Sequence, residues 1–158
     1  MSTIRRRAIE GIRVGDVFVV SRTFSERDTA AFAELSRDYN PVHFDGRFAE
    51  LRFKDRISHG LLVGSLLTEV GGQIGCLASG MTFSFRKPVY FGDTIVCRFT
   101  VTELDERLRA KAVAVFTNQD EEVVIEAHLT GILPGPEQRE IMETIVSADD
   151  SAHRSKKN

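Results

Sequence analysis

Cysteine is scarce in this chain, and its scarcity narrows the classes of protein to which the chain can belong. Only two cysteines occur among the 158 residues, Cys76 and Cys97. Their spacing fits neither a metal-binding motif nor a redox motif. The cysteine content therefore indicates a reducing compartment, and we expect a cytoplasmic protein.

An excess of charge of either sign is also missing. The 21 basic and 23 acidic residues give a formal charge of −2, which gives no support for nucleic-acid binding. The longest apolar stretch, 61–78, is interrupted by Thr68, Glu69 and Gln73, which favours a buried helix over a membrane span. The arginines at 5–7 precede an alternating pattern rather than an apolar run, so we expect no signal peptide. We expect neither a membrane nor a nucleic acid as a partner.

The length and the positions of proline and glycine predict a single domain. A chain of 158 residues is long enough to bury one hydrophobic core. We assign 14–133 to this domain and 1–13 to a short, basic, weakly patterned N-terminal segment. Pro134-Gly135-Pro136 opens a polar tail, 134–158, in which a short helix is expected around 140–146.

The first part of the domain is predicted to contain a strand and then a helix. Valine and phenylalanine are enriched in 16–24, which is typical of a strand. Ser25 and Asp28 have the spacing of a capping box, in which Ser25 begins a helix. This helix is expected to end near Ser36, directly before an irregular segment.

A long central helix is predicted next, followed by strands. Apolar residues recur at helical spacing from Leu61, and Gly80 is the expected end of the helix. Pro88 interrupts the first of the following segments, which predicts a bulge or an edge position there. Alternation in the last segment places His128 on an exposed face. The four antiparallel segments are expected at 81–91, 95–102, 108–117 and 123–132.

This order of elements predicts an α+β fold in which one curved antiparallel sheet wraps around one long helix. A layer of this kind leaves a sheet edge and part of the helix uncovered. Because exposed edges are usually covered, we expect a second copy of the chain to pair with the first.

Asp38 and His43 flank the pair Asn40-Pro41. Proline lacks an N–H and disfavours helical geometry in the residue before it, so this segment is expected to be a fixed, irregular turn. A carboxylate and an imidazole on such a turn are the groups needed to hold and activate a water molecule. The same residue types also occur in turns that only bond their own backbone, and this alternative stays open.

His59 and Gly60 stand where the central helix is expected to begin. If Ser58 is the N-cap, Gly60 lies in the first turn, where backbone N–H groups lack acceptors and the helix dipole is positive. A glycine there lets a carbonyl oxygen approach, as in an oxyanion hole for a thioester or an enolate. Alternatively, Gly60 only allows close packing and His59 is a structural hydrogen-bonding residue.

Two segments resemble the hydratase-2 motif of MaoC-like hotdog proteins. They are the sequence DYNPVHFD at 38–45 and the sequence ISHGL at 57–61. The later segments FRKPV at 85–89 and GDT at 92–94 match the family's downstream pattern. The resemblance covers roughly 14–133 and implies the hotdog fold. In this family a glycine commonly precedes the catalytic aspartate, whereas this chain has Arg37.

The family contains (R)-specific enoyl-CoA hydratases and 3-hydroxyacyl-thioester dehydratases. The resemblance therefore implies reversible hydration of trans-2-enoyl thioesters, carried by coenzyme A or by a carrier protein, without a metal or other cofactor. It assigns the catalytic pair to Asp38 and His43 and the oxyanion N–H to Gly60. Asn40 and Asp45 are expected to fix the loop and the histidine, and the supporting set also includes Ser58 and His59.

Two alternatives to this activity remain at the level of the sequence. One is a hotdog acyl-CoA thioesterase, and the other is a non-catalytic subunit that binds acyl thioesters. A homodimer is expected, with a higher oligomer or pairing with another hotdog chain as the alternatives.

Overall fold

The computed structural model describes residues 2–155, and it describes the side chains through residue 146. The elements follow one another in the chain as α1 (Thr3–Glu10), β1 (Val17–Thr23), α2 (Glu26–Ser36), a 3-10 turn (Pro41–His43), α3 (Gly46–Ala49), α4 (Gly60–Gly64), α5 (Leu66–Ile74), β2 (Leu77–Phe85), β3 (Thr94–Leu104), β4 (Arg109–Thr117), β5 (Val123–Ile132) and α6 (Pro136–Ser155).

The five strands form one antiparallel sheet in the order β1-β3-β4-β5-β2. The three later strands occupy the middle of the sheet and are joined by short connections. β1 pairs with β3, with Val20 opposite Cys97, and β2 pairs with β5, with Phe83 opposite Ala127. Because β1 and β2 are the two edges, the segment between them has to cross the sheet, and it carries α2 to α5.

The core lies between this sheet and the helices α4 and α5. The helices bury Val63, Leu66, Leu67, Val70 and Ile74, which belong to the same apolar cluster as the buried side chains of the strands. The strand residues in this cluster include Phe18, Val20, Ile95, Cys97, Phe116 and Ile125. The predicted α+β hotdog architecture, with one curved sheet around one central helical segment, is confirmed.

The central helix is shorter than the sequence pattern predicted. It consists of two helices that meet at Ser65, and it ends at Ile74. Gly75 takes a left-handed conformation with φ 78° and ends the helix. Gly80, the expected end, lies inside β2. The prediction was wrong because the apolar residues continue from the helix into the strand without a change that periodicity could detect.

The strand after the helix also differs from its predicted position. β2 ends at Phe85, so Pro88 lies outside the ladder, where its missing N–H costs no strand hydrogen bond. The irregularity of this strand lies between Ala78 and Gly80. The edge position is correct, because β2 is the last strand on its side of the sheet.

The N-terminal segment contains a helix that its sequence did not reveal. The Ser2 side chain accepts a hydrogen bond from the Arg5 N–H and begins α1, which buries Ile4 and Ala8. The Arg7 guanidinium donates to both carboxylate oxygens of Asp16 and ties α1 to the start of β1.

The C-terminal helix is longer than expected. α6 spans Pro136–Ser155, whereas a short helix around 140–146 was predicted. Its Met142 is buried with the residues of α1 and α5 in the apolar cluster. Among residues 2–155, no helix is long and apolar enough to cross a bilayer.

Candidate active site

Asp38 is placed by the way in which α2 ends. The capping box of Ser25 and Asp28 begins this helix, as predicted. Arg37 ends it in the left-handed conformation, with φ 62° and ψ 20°. Glycine takes this conformation without steric cost, so the glycine that the family resemblance implies before the aspartate would suit this position physically. Arg37 takes the same conformation here, so the chain still turns abruptly into Asp38.

The Asn40-Pro41 pair forms the 3-10 turn that carries His43. The side-chain oxygen of Asn40 accepts from the Val42 N–H at 3.2 Å and caps this turn. The turn directs the imidazole of His43 inward, where 7% of the residue remains exposed. Nδ1 of His43 lies 2.8 Å from the carbonyl oxygen of Ile57. A carbonyl only accepts, so Nδ1 carries the proton and Nε2 has a free lone pair.

His43 is held in a form that can accept a proton. Burial lowers the pKa of His43, and the neighbouring His59 lowers it further, against the opposing effects of the Ile57 carbonyl and of Asp38. The ring is therefore neutral at pH 7. Its Nε2 lies 4.0 Å from Oδ2 of Asp38, whose side chain is half exposed. Two proton acceptors thus face each other across a gap that is too wide for a direct hydrogen bond.

His59 lies beneath this pair and is 2% exposed. Its Nε2 is 2.9 Å from the main-chain carbonyl oxygen of Asp38, and its ring lies against that of His43, with 3.7 Å between the centroids and 31° between the ring planes. His59, rather than Ser58, is the N-cap residue of α4, so the conditional assignment of Ser58 was wrong. The Ser58 N–H instead donates to the Val89 carbonyl at 2.8 Å, which ties this segment to the strand side of the cavity.

Gly60 is the first residue of α4, so its N–H is among those without an acceptor inside the helix. A Cβ at this position would lie 2.6 Å from Cε1 of Phe85. The absence of a side chain therefore has a packing reason as well as the chemical one that the sequence indicated. Both interpretations of Gly60 are compatible with the structure.

The predicted residues Asp38, His43, Ser58, His59 and Gly60 line one cavity of about 600 Å³. The sequence did not indicate the apolar walls of this cavity. They come from several elements along the chain and include Phe32, Phe53, Val63, Phe85, Val89 and Ile125. Their contribution depends on the pairing of strands and helices, for which no local motif gives a signal.

Asn40 and Asp45 have local roles and do not line the cavity. The Asp45 side chain accepts from the Arg47 N–H and begins α3. Its carboxylate also pairs with the Arg47 guanidinium, which lowers the pKa of Asp45 to about 2. Asp45 thus holds the loop beyond the turn, and Asn40 holds the turn itself.

Asp38, His43 and His59 also place three potential metal ligands within 4.8 Å of one another. Two imidazoles and one carboxylate are a common ligand set for Zn²⁺ or Fe²⁺. However, Nε2 of His59 donates its proton to the Asp38 carbonyl and points no lone pair at the other two groups. In this arrangement, Oδ2 of Asp38 and Nε2 of His43 are the two acceptors that flank the gap between Asp38 and His43.

The fold and site define a hotdog domain with a carboxylate–imidazole pair beside the start of its central helix. The MaoC like domain model matches residues 14–124, and the chain therefore belongs to the MaoC-like domain family. A mitochondrial 3-hydroxyacyl-[acyl-carrier-protein] dehydratase of Arabidopsis thaliana is 37% identical over 130 residues, which cover 78% of each chain. An (R)-specific enoyl-CoA hydratase of Aeromonas caviae is 36% identical over 115 residues, covering 70% of this chain and 84% of that one.

A solved structure shows the same similarity in three dimensions. The structure is that of the (R)-hydratase from A. caviae involved in PHA biosynthesis. It aligns with a TM-score of 0.74 and 32% identity, over 79% of this chain and 99% of the other.

Proposed function

We propose that this protein is a hydro-lyase that reversibly adds water to trans-2-enoyl thioesters and gives (R)-3-hydroxyacyl thioesters. The observation that carries the proposal is the pair of facing acceptors, Nε2 of His43 and Oδ2 of Asp38, 4.0 Å apart at the cavity wall. Relatives named as hydratases and dehydratases support the reaction class.

The separation of the two acceptors suits one water molecule. A water that donates one hydrogen to each of two acceptors at about 2.8 Å separates them by about 4.4 Å. The 4.0 Å gap is close to that span. Water held in this way has both hydrogens engaged and presents an oxygen lone pair to the cavity, where an alkene carbon can meet it.

The proposed reaction moves a proton from the water to the Asp38–His43 pair and negative charge to the thioester oxygen. As the water oxygen bonds to C3, its proton passes to the Asp38–His43 pair, and the C2–C3 π electrons move onto the thioester oxygen. The Gly60 N–H donates to this oxygen as the enolate forms, aided by the positive end of α4. The pair then returns a proton to C2. The net change is the addition of one water molecule, with no redox step.

The apolar walls of the cavity suit the acyl chain of such a substrate. Phe32, Phe85 and Ile125 line it together with the polar pair. An acyl group can therefore lie against hydrocarbon while its enoyl end reaches Asp38 and His43.

The proposal includes pairing of two copies through a sheet edge. β2 exposes most of its residues along an unpaired edge, and Leu77, Met81 and Phe85 are large exposed apolar side chains on it. Light scattering at micromolar concentration should give the mass of a homodimer. A monomer under these conditions would contradict this part of the proposal.

The test of the reaction uses purified protein and crotonyl-CoA, with loss of the enoyl absorbance as the signal. Asp38→Asn and His43→Gln should each lower the hydration rate by about 10²–10⁴-fold. The double variant should be little slower than either single variant, because residues that act as one unit are not additive. Asp120→Asn and His128→Gln are matched controls, since both residues are exposed and lie outside the cavity lining.

Two further measurements distinguish the proposed hydratase from the thioesterase and from the non-catalytic binding subunit. Release of free thiol without hydration would identify a thioesterase. Binding of the enoyl thioester without turnover, in both the coenzyme A and the carrier-protein form, would identify a binding subunit. Either Asp38→Asn or His43→Gln with near-parental activity would refute the proposed mechanism.

A further inference from the structure

His59 is a buried histidine to which the proposed reaction assigns no proton transfer, yet it contacts both members of the reacting pair. Its ring lies against Phe32 of α2, with 5.1 Å between the centroids, and against His43, with 3.7 Å between the centroids. The ring of Phe44 meets it in an edge-type contact, with 6.2 Å between the centroids. The imidazole of His43 therefore rests on a ring that is itself packed against phenyl groups.

The hydrogen bonds of His59 show which nitrogen carries its proton. Nε2 lies 2.9 Å from the carbonyl oxygen of Asp38, which can only accept, so Nε2 is the donor. Nδ1 is buried and has no hydrogen-bond partner within the part of the chain that the structure describes. Among these described residues, both polar contacts of the ring thus run from Nε2 to Asp38: the hydrogen bond to its carbonyl, and an approach of 3.8 Å to Oδ2. The hydrogen bond also fixes the main chain from which the Asp38 carboxylate projects.

We propose that His59 is a positioning residue, whose ring face holds His43 and whose N–H holds the Asp38 main chain at the separation that one water needs. This inference rests on the proposed function. A single rigid ring joins the two groups, although they come from opposite ends of the turn. The Asn40 N–H donates to Oδ1 of Asp38 at 3.2 Å, and the Val42 carbonyl accepts from the Ile57 N–H at 3.4 Å, but neither bond contacts the imidazole of His43.

The effect on the rate follows from the geometry. Displacement of a reacting group by about 1 Å can cost about 10²-fold in rate. The His59 ring restrains movement of His43 on one side, and its N–H restrains the main chain of Asp38. The ring also helps to bury His43, which is the main cause of the lowered pKa of that residue.

Two substitutions separate these contributions. The amide of His59→Gln can still donate to the Asp38 carbonyl, but it removes the ring beneath His43. The phenyl group of His59→Phe keeps an aromatic face beneath His43, but it removes the donor. His128→Gln is the control, because His128 is exposed on β5 and does not line the cavity.

With crotonyl-CoA as the substrate, we expect each His59 variant to lower kcat by about 10–10²-fold and to change KM by less than about threefold. In His59→Gln, the acidic limb of kcat/KM should also move to higher pH, because water gains access to His43 and its pKa rises towards the ordinary value. His128→Gln should leave both readouts unchanged. A merely structural role would lower the melting temperature without moving the pH profile of the folded enzyme.

A measurement on the unsubstituted protein keeps the inference testable if the variants fail to fold. Long-range ¹H–¹⁵N correlation spectra should show His43 protonated on Nδ1 and His59 protonated on Nε2. The opposite tautomer at His59, or folded variants with parental kcat and an unmoved pH profile, would overturn the proposal. If the parent protein hydrates no enoyl thioester, the proposed function fails instead, and the spectra distinguish that outcome from loss of the His59 contacts.

Discussion

Substitution of Gly60 by alanine tests whether the start of α4 binds the thioester oxygen or only packs closely. The new Cβ would lie 2.6 Å from Cε1, 2.8 Å from Cδ1 and 3.1 Å from Cζ of Phe85. Carbon atoms in favourable contact are about 3.5–4.0 Å apart, so the phenyl ring has to move by about 1 Å. Phe85 is 54% exposed within one copy of the chain, so its ring has room to shift. The cost in stability should therefore be about 1 kcal/mol, near the low end for overpacking.

The cost in rate should be larger if the Gly60 N–H binds the developing oxyanion. Loss of one such donor costs about 2.7–4 kcal/mol of barrier, which is about 10²–10³-fold in kcat. The methyl group hinders approach of the substrate oxygen to this N–H, so the expected loss in Gly60→Ala is about 10²-fold. The two magnitudes differ enough to be separated by measuring kcat and the free energy of unfolding on the same preparation.

The double variant Gly60→Ala/Phe85→Ala removes the ring that the methyl group meets. The double variant should have nearly the same urea midpoint as Phe85→Ala alone. It should still hydrate crotonyl-CoA more slowly than Phe85→Ala does. Gly64→Ala is a matched control, because its Cβ would lie 2.9 Å from Cε1 of Phe83, one turn further along and outside the cavity lining. This control should lose stability and keep its rate. Recovery of the Phe85→Ala rate in the double variant would show that Gly60 serves packing alone.

Three further changes test other parts of the structure. Replacing Arg37 by glycine should raise the free energy of unfolding by about 0.5–1 kcal/mol, because relief of about 1–2 kcal/mol of left-handed strain outweighs the added chain entropy. Urea denaturation would measure this change, and a lower stability of the glycine variant would contradict the prediction. The pKa of His43 lies below its ordinary 6.5 in the folded state, so kcat/KM should fall only at a pH below that value. Stability should decrease as pH falls from 6.5 towards the folded pKa and then level off, and His43→Gln should lack this decrease. Arg7→Gln should lower the free energy of unfolding by about 1 kcal/mol in thermal melts, because it breaks a bidentate ion pair with Asp16 that is mostly shielded from solvent. Arg6→Gln, on the exposed side of α1, is the control and should leave the free energy of unfolding almost unchanged.

The parts of the site that the sequence could predict are those encoded within a few residues. Asn40-Pro41 forces a turn by its own stereochemistry, so the approach of Asp38 and His43 could be expected from the sequence. The capping box at Ser25 is equally local, and its prediction was correct. Each of these signals depends on bonds between residues that are close neighbours in the chain.

The parts that could not be predicted depend on contacts between distant segments. The bond from His59 to the Asp38 carbonyl spans 21 residues, and the fit of Phe85 against Gly60 depends on where β2 docks. α1 escaped prediction because it buries only Ile4 and Ala8, and tertiary packing rather than propensity stabilises so short a helix. The end of the central helix was misplaced because apolar character continues from α5 into β2.

The position of β1 and β2 at the two edges of the sheet has a consequence for the order in which the protein folds. The segment with Asp38, His43, His59 and Gly60 joins these two strands, whereas β3, β4 and β5 form a meander with short connections. The meander can form early, since its contacts are close in sequence. β1 has to close a loop of more than seventy residues before Thr23 meets Thr94. The active site is thus completed only when both outer strands dock, and local opening at either margin of the sheet disorganises the chemistry while the centre stays folded.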